Sequence, residues 1–262
     1  MSQVKENLRV TLIQSSLHWQ AVDANLAMFE EKIWQIDGKT DIIILPEMFN
    51  TGFTMNAPAV AEPMNLTTFK WMKQQAAQTD AVVMGSLVIN DGGKFYNRLI
   101  WMQPDGTHFT YDKKHLFRLA NEHHAYTAGT EKLIVTWKGW KICPLICYDL
   151  RFPVWSRNVD LEYDCLIYIA SWPSMRANAW NILLKARAVE NLSYCIGVNR
   201  VGEDGNGYPY NGCSSAIDPQ GNTLFYQEDE EVIHTVALNY SELQTYREKL
   251  QFYLDADAFE LT

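Results

Sequence analysis

The fold is decided by the stretch at residues 140–153, W-K-I-C-P-L-I-C-Y-D-L-R-F-P. Its first half is almost continuously apolar, which predicts a strand buried on both faces, as in a parallel sheet covered by helices. Cys147 ends this strand, and a polar turn and the start of a helix follow it. A thiol there faces unpaired N–H groups and the positive end of a helix dipole, which favour a thiolate. Cys147 is therefore a candidate nucleophile, although a cysteine in an apolar strand is more often inert packing.

Apolar strands alternate with amphipathic helices on both sides of this stretch. Strands are predicted at residues 8–14, 41–46, 81–89, 95–103, 109–112, 133–137, 140–146, 165–170, 194–199, 213–217 and 232–238. Helices are predicted at about 22–36, 66–78 and 176–191, and from Ser241, the expected N-cap, onward. In the helix at 176–191, the residues that recur at helical spacing and predict its buried face are Ala179, Ile182, Leu183, Ala186 and Val189.

The chain reads as a single unit. No linker, long charge run or low-complexity segment divides its 262 residues. We therefore predict one domain over residues 1–262, with an α/β fold in which two stacked sheets lie between outer layers of helices.

Composition and charge exclude several classes of protein. The net charge is −9 and the pI is about 5.2, so neither a nucleic-acid groove nor an anionic membrane face is expected. No run of about 18 apolar residues exists, and the N-terminal residues lack the apolar core of a signal peptide. The cysteines are five, an odd number, and four of them lie in apolar runs. This is not a disulfide framework, and we expect a protein of the reducing cytoplasm.

Two other segments place reactive side chains next to strand ends. In I-I-I-L-P-E-M-F, Glu47 follows a buried strand directly, where a poorly solvated carboxylate can act as a base. In F-T-Y-D-K-K-H-L-F, Lys113 and Lys114 follow a short strand, and only one of them can point inward. Taken alone, Glu47 is equally well explained as a surface glutamate, and the lysines are better explained as a solvated pair.

A cysteine, a carboxylate and an ammonium are together sufficient for acyl transfer. The carboxylate of Glu47 would take the thiol proton of Cys147. The ammonium of Lys113 would stabilise the thiolate and then the oxyanion, and the backbone N–H of Tyr148 would be the second oxyanion donor.

Other reactive groupings are less convincing as sites. Cys143 and Cys147 are separated by three residues, not by the two of a redox or zinc-binding pair. Glu122 and the two histidines after it have no metal-ligand spacing. The loop at residues 202–207, G-E-D-G-N-G, lacks the Lys-Ser/Thr of a phosphate-binding loop. We therefore expect neither a metal nor a cofactor.

The three reactive segments, in this order, resemble the catalytic signatures of the nitrilase superfamily of carbon–nitrogen hydrolases. The matching phrases are L-P-E-M-F at Glu47, Y-D-K-K-H-L-F at Lys113 and I-C-Y-D-L-R-F-P at Cys147. The resemblance covers about residues 8–240 and includes A-R-A-V-E-N at residues 186–191. L-P-E-M-F-N-T-G-F and C-Y-D-L-R-F-P-V-W-S-R-N are similar to the bacterial omega-amidases of that superfamily.

The resemblance implies a role for each of these residues. Glu47 would be the general base and Cys147 the nucleophile. Lys113 would be the ammonium, because one residue separates it from H-L-F, and this selects it over Lys114. Glu122, in N-E-H-H-A-Y, would be a second glutamate near the thiol. The implied fold is a four-layer α-β-β-α sandwich, and the implied assembly is a homodimer formed through helices beside the nucleophile.

The implied activity is release of ammonia from the omega-amide of small keto-acid amides, such as 2-oxoglutaramate and 2-oxosuccinamate, through a cysteine thioester. The far carboxylate of such a substrate needs a local cation, and Arg176 is the candidate, although it is equally well explained as a surface arginine. Trp172 and Phe53 are candidate walls of the pocket. The alternatives are hydrolysis of another amide, nitrile or carbamoyl substrate, a non-catalytic binding protein on this fold, and a thiol redox protein.

Overall fold

Two β-sheets and seven α-helices make up the part of the chain that the structure describes. The structure is a computed structural model and describes residues 7–260, so residues 1–6 and 261–262 of the predicted domain lie outside it. The strands are β1 Leu8–Gln14, β2 Ile42–Ile44, β3 Val82–Asp91, β4 Lys94–Met102, β5 His108–Asp112, β6 Val135–Trp137, β7 Trp140–Ile146, β8 Cys165–Ala170, β9 Tyr194–Asn199, β10 Val201–Glu203, β11 Pro209–Ile217, β12 Thr223–Glu228 and β13 Val232–Leu238. The α-helices are α1 Val22–Trp34, α2 Ala57–Val60, α3 Thr67–Thr79, α4 Glu122–Ala125, α5 Pro153–Ser156, α6 Ala177–Glu190 and α7 Tyr240–Leu250. Among the short 3-10 helices are Arg118–Ala120, Cys147–Arg151 and Ser174–Arg176.

Each sheet has a parallel centre. The first sheet has the order β13-β1-β2-β3-β4-β5, and β1, β2 and β3 are parallel. The second has the order β10-β11-β9-β8-β7-β6, with β12 paired to β11, and β7, β8 and β9 are parallel. Side chains that follow β2, β7 and β8 can therefore meet at the carboxyl ends of these strands, where sites form in sheets of this kind.

The molecule has four layers. The inner faces of the two sheets share one buried cluster, to which β1 contributes Leu12, β4 Trp101 and β7 Leu145. Helices α1 and α3 cover the outer face of the first sheet, and they bury Phe29 and Met72 there. Helix α6 covers the outer face of the second sheet. This arrangement confirms the predicted α-β-β-α sandwich.

Helix α6 packs against its sheet by a face that overlaps the predicted one only in part, since Ala179 and Leu183 are partly buried against the core. Its buried residues are Trp180, Leu184, Arg187 and Ala188. Gly197 of β9 allows the close approach, since a Cβ there would lie 2.5 Å from Leu184 and 2.7 Å from Trp180. Ile182 and Val189, expected in the core, are 58% and 42% exposed. The helix is apolar on two sides, so spacing alone could not show which side faces the sheet.

The other differences are at edges and helix ends. The short strand β10 and the edge strand β12 were not predicted, because half-exposed edge strands carry little apolar signal. The N-cap of α7 is Asn239 and not Ser241. The side-chain oxygen of Asn239 accepts the N–H of Glu242 at 3.1 Å and the hydroxyl of Ser241 at 2.8 Å.

Within residues 7–260, no helix combines the length and apolar character needed to span a bilayer.

Candidate active site

Glu47 lies where the two sheets meet. It follows β2 and is completely buried. Its Oε1 accepts hydrogen bonds from Lys113 Nζ and Asn97 Nδ2, both at 2.8 Å. Its Oε2 accepts the N–H of Ser171, directly after β8 of the other sheet, also at 2.8 Å. The carboxylate is therefore paired on both oxygens and held from both sheets, and the surface interpretation of Glu47 is wrong.

Lys113 is the inward-facing member of its pair. Its ammonium is buried and lies 2.8 Å from Glu47 and 3.0 Å from Glu122. Burial opposes its charge, but the charges of Glu122 and Glu47 outweigh burial and raise the pKa of Lys113 above its ordinary value. Lys114 points away and places its ammonium 5.1 Å from the ring centre of Trp155. The structure thus separates the two lysines as strand alternation requires.

Glu122 is the third buried charge. It is the first residue of α4, and its Oε2 accepts the N–H of Phe117 at 2.6 Å. Burial and the charge of Glu47 raise its pKa, and this rise outweighs the opposing effect of Lys113. Glu122, Lys113 and Glu47 form one cluster in which a single ammonium lies between two carboxylates.

Cys147 lies at the joint between β7 and a short 3-10 helix. Its φ is +45°, a left-handed conformation that costs energy for a residue with a side chain. Burial raises the pKa of its thiol well above the ordinary value, and so do the charge and hydrogen bond of Glu47, while Lys113 and the N–H of Ser171 oppose the rise. The expected stabilised thiolate is therefore wrong, because desolvation outweighs what a one-turn helix supplies. At neutral pH the resting group is a thiol, and a base must take its proton.

Asp149 fixes the turn that carries the nucleophile. It is buried, and its Oδ2 accepts the N–H of Ile146 at 3.1 Å and the hydroxyl of Tyr111 at 2.7 Å. Its Oδ1 accepts the backbone N–H of His115 at 3.0 Å and lies 2.8 Å from His115 Nδ1. One carboxylate thus joins the nucleophile turn to the segment that follows Lys113.

Helix α6 holds the other end of the same turn. Arg187, buried on the sheet-facing side, donates from Nη2 to the carbonyl oxygen of Leu150 at 2.6 Å. Its Nη1 donates to Glu190 at 2.9 Å. This explains the A-R-A-V-E-N phrase, because its arginine anchors the nucleophile turn and its glutamate orients that arginine.

A cavity of about 740 Å³ opens above the thiol, within the range of small-molecule sites. Cys147, Lys113 and Tyr148 line it, whereas Glu47 and Glu122 lie behind them. The three predicted pocket residues all line the cavity, and these are Phe53, Trp172 and Arg176. The ring of Phe53 lies 5.1 Å from Lys113 Nζ.

The cavity wall carries two arginines. Arg151, four residues after the nucleophile, lies over the ring of Trp172 at 4.9 Å, and Arg176 lies over the ring of Phe117 at 5.1 Å. Within residues 7–260, neither guanidinium is paired with a carboxylate. The acid of the wall, Asp204, already accepts the hydroxyl of Tyr210 at 2.9 Å and two backbone N–H groups. The wall therefore carries two guanidinium groups and one carboxylate, and the carboxylate is bound by other groups and not by either guanidinium.

Sequence reasoning missed four residues around this site, and these are Asn97, Asp149, Arg151 and Ser171. Asn97 and Asp149 are polar residues at the margins of apolar segments, which is a weak signal on its own. Arg151 contacts Trp172 and Ser171 contacts Glu47, and both partners lie far away in the sequence. No local sequence pattern therefore identifies Arg151 or Ser171. Among the described residues, no group of three His, Cys, Asp or Glu side chains could hold a metal ion.

Comparison with known proteins identifies the family. Residues 9–248 match the family model described as Carbon-nitrogen hydrolase. The chain belongs to this family and is a hydrolase of C–N bonds. The two stacked sheets and the buried Glu–Lys–Glu cluster agree with this assignment.

Individual relatives agree over almost the whole chain. The chain is 45% identical to "Omega-amidase YafV" of Yersinia enterocolitica over 97% of its length and 98% of the relative. It is 29% identical to "2-oxoglutaramate amidase" of Bacillus subtilis, over 94% and 96% of the two chains. The crystal structure of XC1258 from Xanthomonas campestris, a CN-hydrolase superfamily protein with an arsenic adduct in its active site, superposes with a TM-score of 0.96. Identity there is 41%, with 98% and 99% of the two chains covered.

Replacing Asp149 tests how the nucleophile turn is held. Asp149→Ala would leave the buried donors of Ile146, Tyr111 and His115 without an acceptor, and we expect the free energy of unfolding to fall by roughly 3 kcal/mol. Urea unfolding followed by circular dichroism measures it. Asp218→Ala is the matched control, because Asp218 also accepts several hydrogen bonds but in an exposed turn. Equal losses in the two variants would contradict the assignment.

Proposed function

We propose that this protein is an omega-amidase that releases ammonia from the omega-amide of small keto-acid amides, 2-oxoglutaramate or 2-oxosuccinamate, through a thioester on Cys147. The observation that carries the proposal is a cavity in which a thiol lies beside buried Lys113 and Glu47, under a wall with two arginines that have no carboxylate partner among residues 7–260. The names of the relatives from Yersinia and Bacillus support the same substrate class.

In the first half-reaction the thiol is acylated. Glu47 takes the proton of Cys147 as the sulfur attacks the amide carbon, and the carbonyl electrons move to the oxygen. When the tetrahedral intermediate collapses, Glu47 gives this proton to the nitrogen, the C–N bond breaks and ammonia leaves. The raised pKa of the Cys147 thiol makes proton removal part of the attack and not a preceding step.

In the second half-reaction the thioester is hydrolysed. Glu47, with Glu122 assisting, takes a proton from water while the water oxygen attacks the acyl carbon. Collapse breaks the C–S bond, and the proton held by Glu47 returns to the sulfur of Cys147. The product is a carboxylic acid, and the enzyme is restored with no net change.

The oxyanion of both halves would lie between Lys113 and the backbone N–H of Tyr148. Its raised pKa keeps Lys113 an ammonium throughout the pH range of the reaction. A fixed charge in a buried site stabilises a developing oxyanion more than water does, and removal of one such donor typically costs on the order of 10²–10³ in rate.

The two arginines distinguish this cavity from one built for neutral amides. A keto-acid amide has a carboxylate at the end opposite the scissile bond, and a guanidinium binds a carboxylate through two parallel hydrogen bonds. Arg176 was the candidate from the sequence, and the position of Arg151 beside the nucleophile adds a second one. We assign the far carboxylate to these two residues, with Trp172 and Phe53 as the apolar walls.

Two other functions are less well supported. Another amide, nitrile or carbamoyl substrate would use the same chemistry up to the thioester, but a neutral substrate leaves both arginines without a partner. Redox cycling between Cys143 and Cys147 is disfavoured, because burial raises the pKa of Cys143 to about 12 and it cannot act as an attacking thiolate at neutral pH.

The compartment, the domain boundaries and the oligomeric state are also proposals. All five cysteines are free, which supports a location in the reducing cytoplasm. We take the whole chain as one hydrolase domain. Helices α5 and α6, beside the nucleophile turn, expose Val154, Ile182 and Val189 at 51%, 58% and 42%, and these side chains support a homodimer that buries them.

Loss of the thiol should abolish turnover. In Cys147→Ala we expect ammonia release to fall by at least about 10³-fold, since the thioester cannot form. An ammonia assay with 2-oxoglutaramate, 2-oxosuccinamate, glutamine and a simple nitrile measures it, with Cys213→Ala as the active control. Wild-type protein should prefer the two keto-acid amides. Preference for the nitrile, or a rate near wild type in Cys147→Ala, would refute the proposal.

The arginines should affect binding of charged substrates alone. In Arg151→Gln and in Arg176→Gln we expect the KM for 2-oxoglutaramate to rise about 10- to 100-fold, as loss of a charged hydrogen bond predicts. The KM for a neutral amide such as valeramide should stay within about twofold. Arg118→Gln, in an exposed neighbour, is the matched control. An equal rise for both substrates would mean that the arginines only shape the wall.

The dimer can be tested through α6. In Ile182→Glu a buried charge would disrupt an interface at this face, and we expect the mass measured by light scattering to fall from a dimer to a monomer. Leu66→Glu is the matched control, since Leu66 is 44% exposed but lies before α3 on the first sheet. A wild-type monomer, or a variant that stays dimeric, would contradict an interface through α6.

A further inference from the structure

The carboxylates of Glu47 and Glu122 are bridged twice, once by an ammonium and once by an amide. Lys113 Nζ lies 2.8 Å from Glu47 Oε1 and 3.0 Å from each oxygen of Glu122. Asn97 Nδ2 donates to the same Glu47 Oε1 at 2.8 Å and lies 3.5 Å from Glu122 Oε1. The two hydrogens of one amide group therefore face two like charges.

The backbone fixes the two donors to each other. Asn97 is fully buried in β4, between β3 and β5, and its carbonyl oxygen accepts the N–H of Lys113 at 3.0 Å. One residue further on, both carboxylate oxygens of Asp112 accept from the guanidinium of Arg98, at 2.7 and 2.9 Å. The strand register therefore holds the Asn97 amide against the carboxylates.

The charge balance explains why a neutral donor is present here. Two carboxylates and one ammonium leave one net negative charge, which the base needs in order to accept the thiol proton. A second cation would remove that charge. An apolar residue would leave the two carboxylates to repel each other with one donor fewer. An amide stabilises both ionised groups and leaves the net charge unchanged.

We propose that Asn97 is a positioning residue that keeps Glu47 and Glu122 ionised together, so that Glu47 can take the proton of Cys147 at neutral pH. The inference rests on the proposed function for the identity of the base, and it assigns the ionisation of that base to a neutral amide. The other titratable groups near the two carboxylates are Lys113, Cys147, Tyr126 and Tyr210, and the N–H groups of Phe117 and Ser171 donate to these carboxylates.

Leucine is the informative substitution. It has the same branching as asparagine, with two methyl groups in place of the amide oxygen and nitrogen. Asn97 Oδ1 has no hydrogen-bond partner among the described residues, so the hydrogen bonds that Asn97→Leu removes from this side chain are the two contacts with the carboxylates. Without the donor, the ionised pair is less stable and takes up a proton at higher pH. We expect the acid limb of kcat/KM to move up by about one pH unit, which lowers kcat/KM about tenfold at each pH on that limb. KM should change by less than about twofold.

A second readout does not depend on turnover. The rate at which iodoacetamide alkylates Cys147, followed by peptide mass spectrometry, depends on the same base, so its pH profile should move in the same direction. If wild-type protein released no ammonia from any amide, the proposed function would fail, and the alkylation profile alone would decide the role of Asn97. An alkylation profile and an acid limb that both stay at the wild-type pH would overturn it.

Two further variants guard against a merely structural effect. Asn97→Asp keeps the shape and adds a third carboxylate, so we expect a larger loss at pH 7. Its rate relative to wild type should recover at lower pH, as the introduced carboxyl group becomes protonated and donates again. An unchanging ratio across pH would count against the proposal. Asn158→Leu is the matched control, because Asn158 is a buried asparagine that only joins backbone turns. It should lower Tm and leave both pH profiles in place.

Discussion

The ammonium of Lys113 is the interaction on which the rest of the site depends. It lies between the carboxylates of Glu47 and Glu122, and all three groups are removed from water. Buried charges are tolerated only when they are paired and hydrogen-bonded. Here the N–H of Ser171 donates to the Glu47 oxygen that the ammonium does not contact, and the N–H of Phe117 is a further donor to Glu122. The cluster forms only when β2, β5, β8 and α4 meet, so completion of the fold and completion of the site coincide.

The nucleophile is held by geometry and not by a pre-formed charge. Asp149 and Arg187 anchor the two ends of its turn, and the positive φ of Cys147 directs the thiol into the cavity. Because burial keeps the proton on sulfur, reactivity is switched on by the neighbouring base when an electrophile is present. Reaction of this thiol with an oxidant or an alkylating agent therefore also depends on the base that takes its proton.

The sequence predicted the parts of the site that end strands. Glu47 and Cys147 directly follow apolar runs, the resemblance to the nitrilase superfamily selected Lys113, and the alternation of apolar runs and helices indicated the layer order. It could not show the buried face of α6, because that helix is apolar on two sides. Asn97 and Arg151 were missed since their partners lie far away in sequence. A stabilised Cys147 thiolate was expected because a helix follows the strand, but that helix is only one turn long. Desolvation of the buried thiol outweighs the helix dipole, and the burial of Cys147 is visible only in the structure.

Glu47 also joins the two halves of the sandwich. Its Oε2 accepts the N–H of Ser171 from the second sheet, its own carbonyl accepts the Ser171 hydroxyl at 3.3 Å, and its Oε1 is bound from the first sheet. A sliding motion of one sheet over the other would stretch these bonds together with the packing contacts of the shared core. The bonds that align the base are therefore also bonds that hold the two sheets together. A substitution that loosened the contact between the sheets would misalign Glu47, and selection for turnover would remove it.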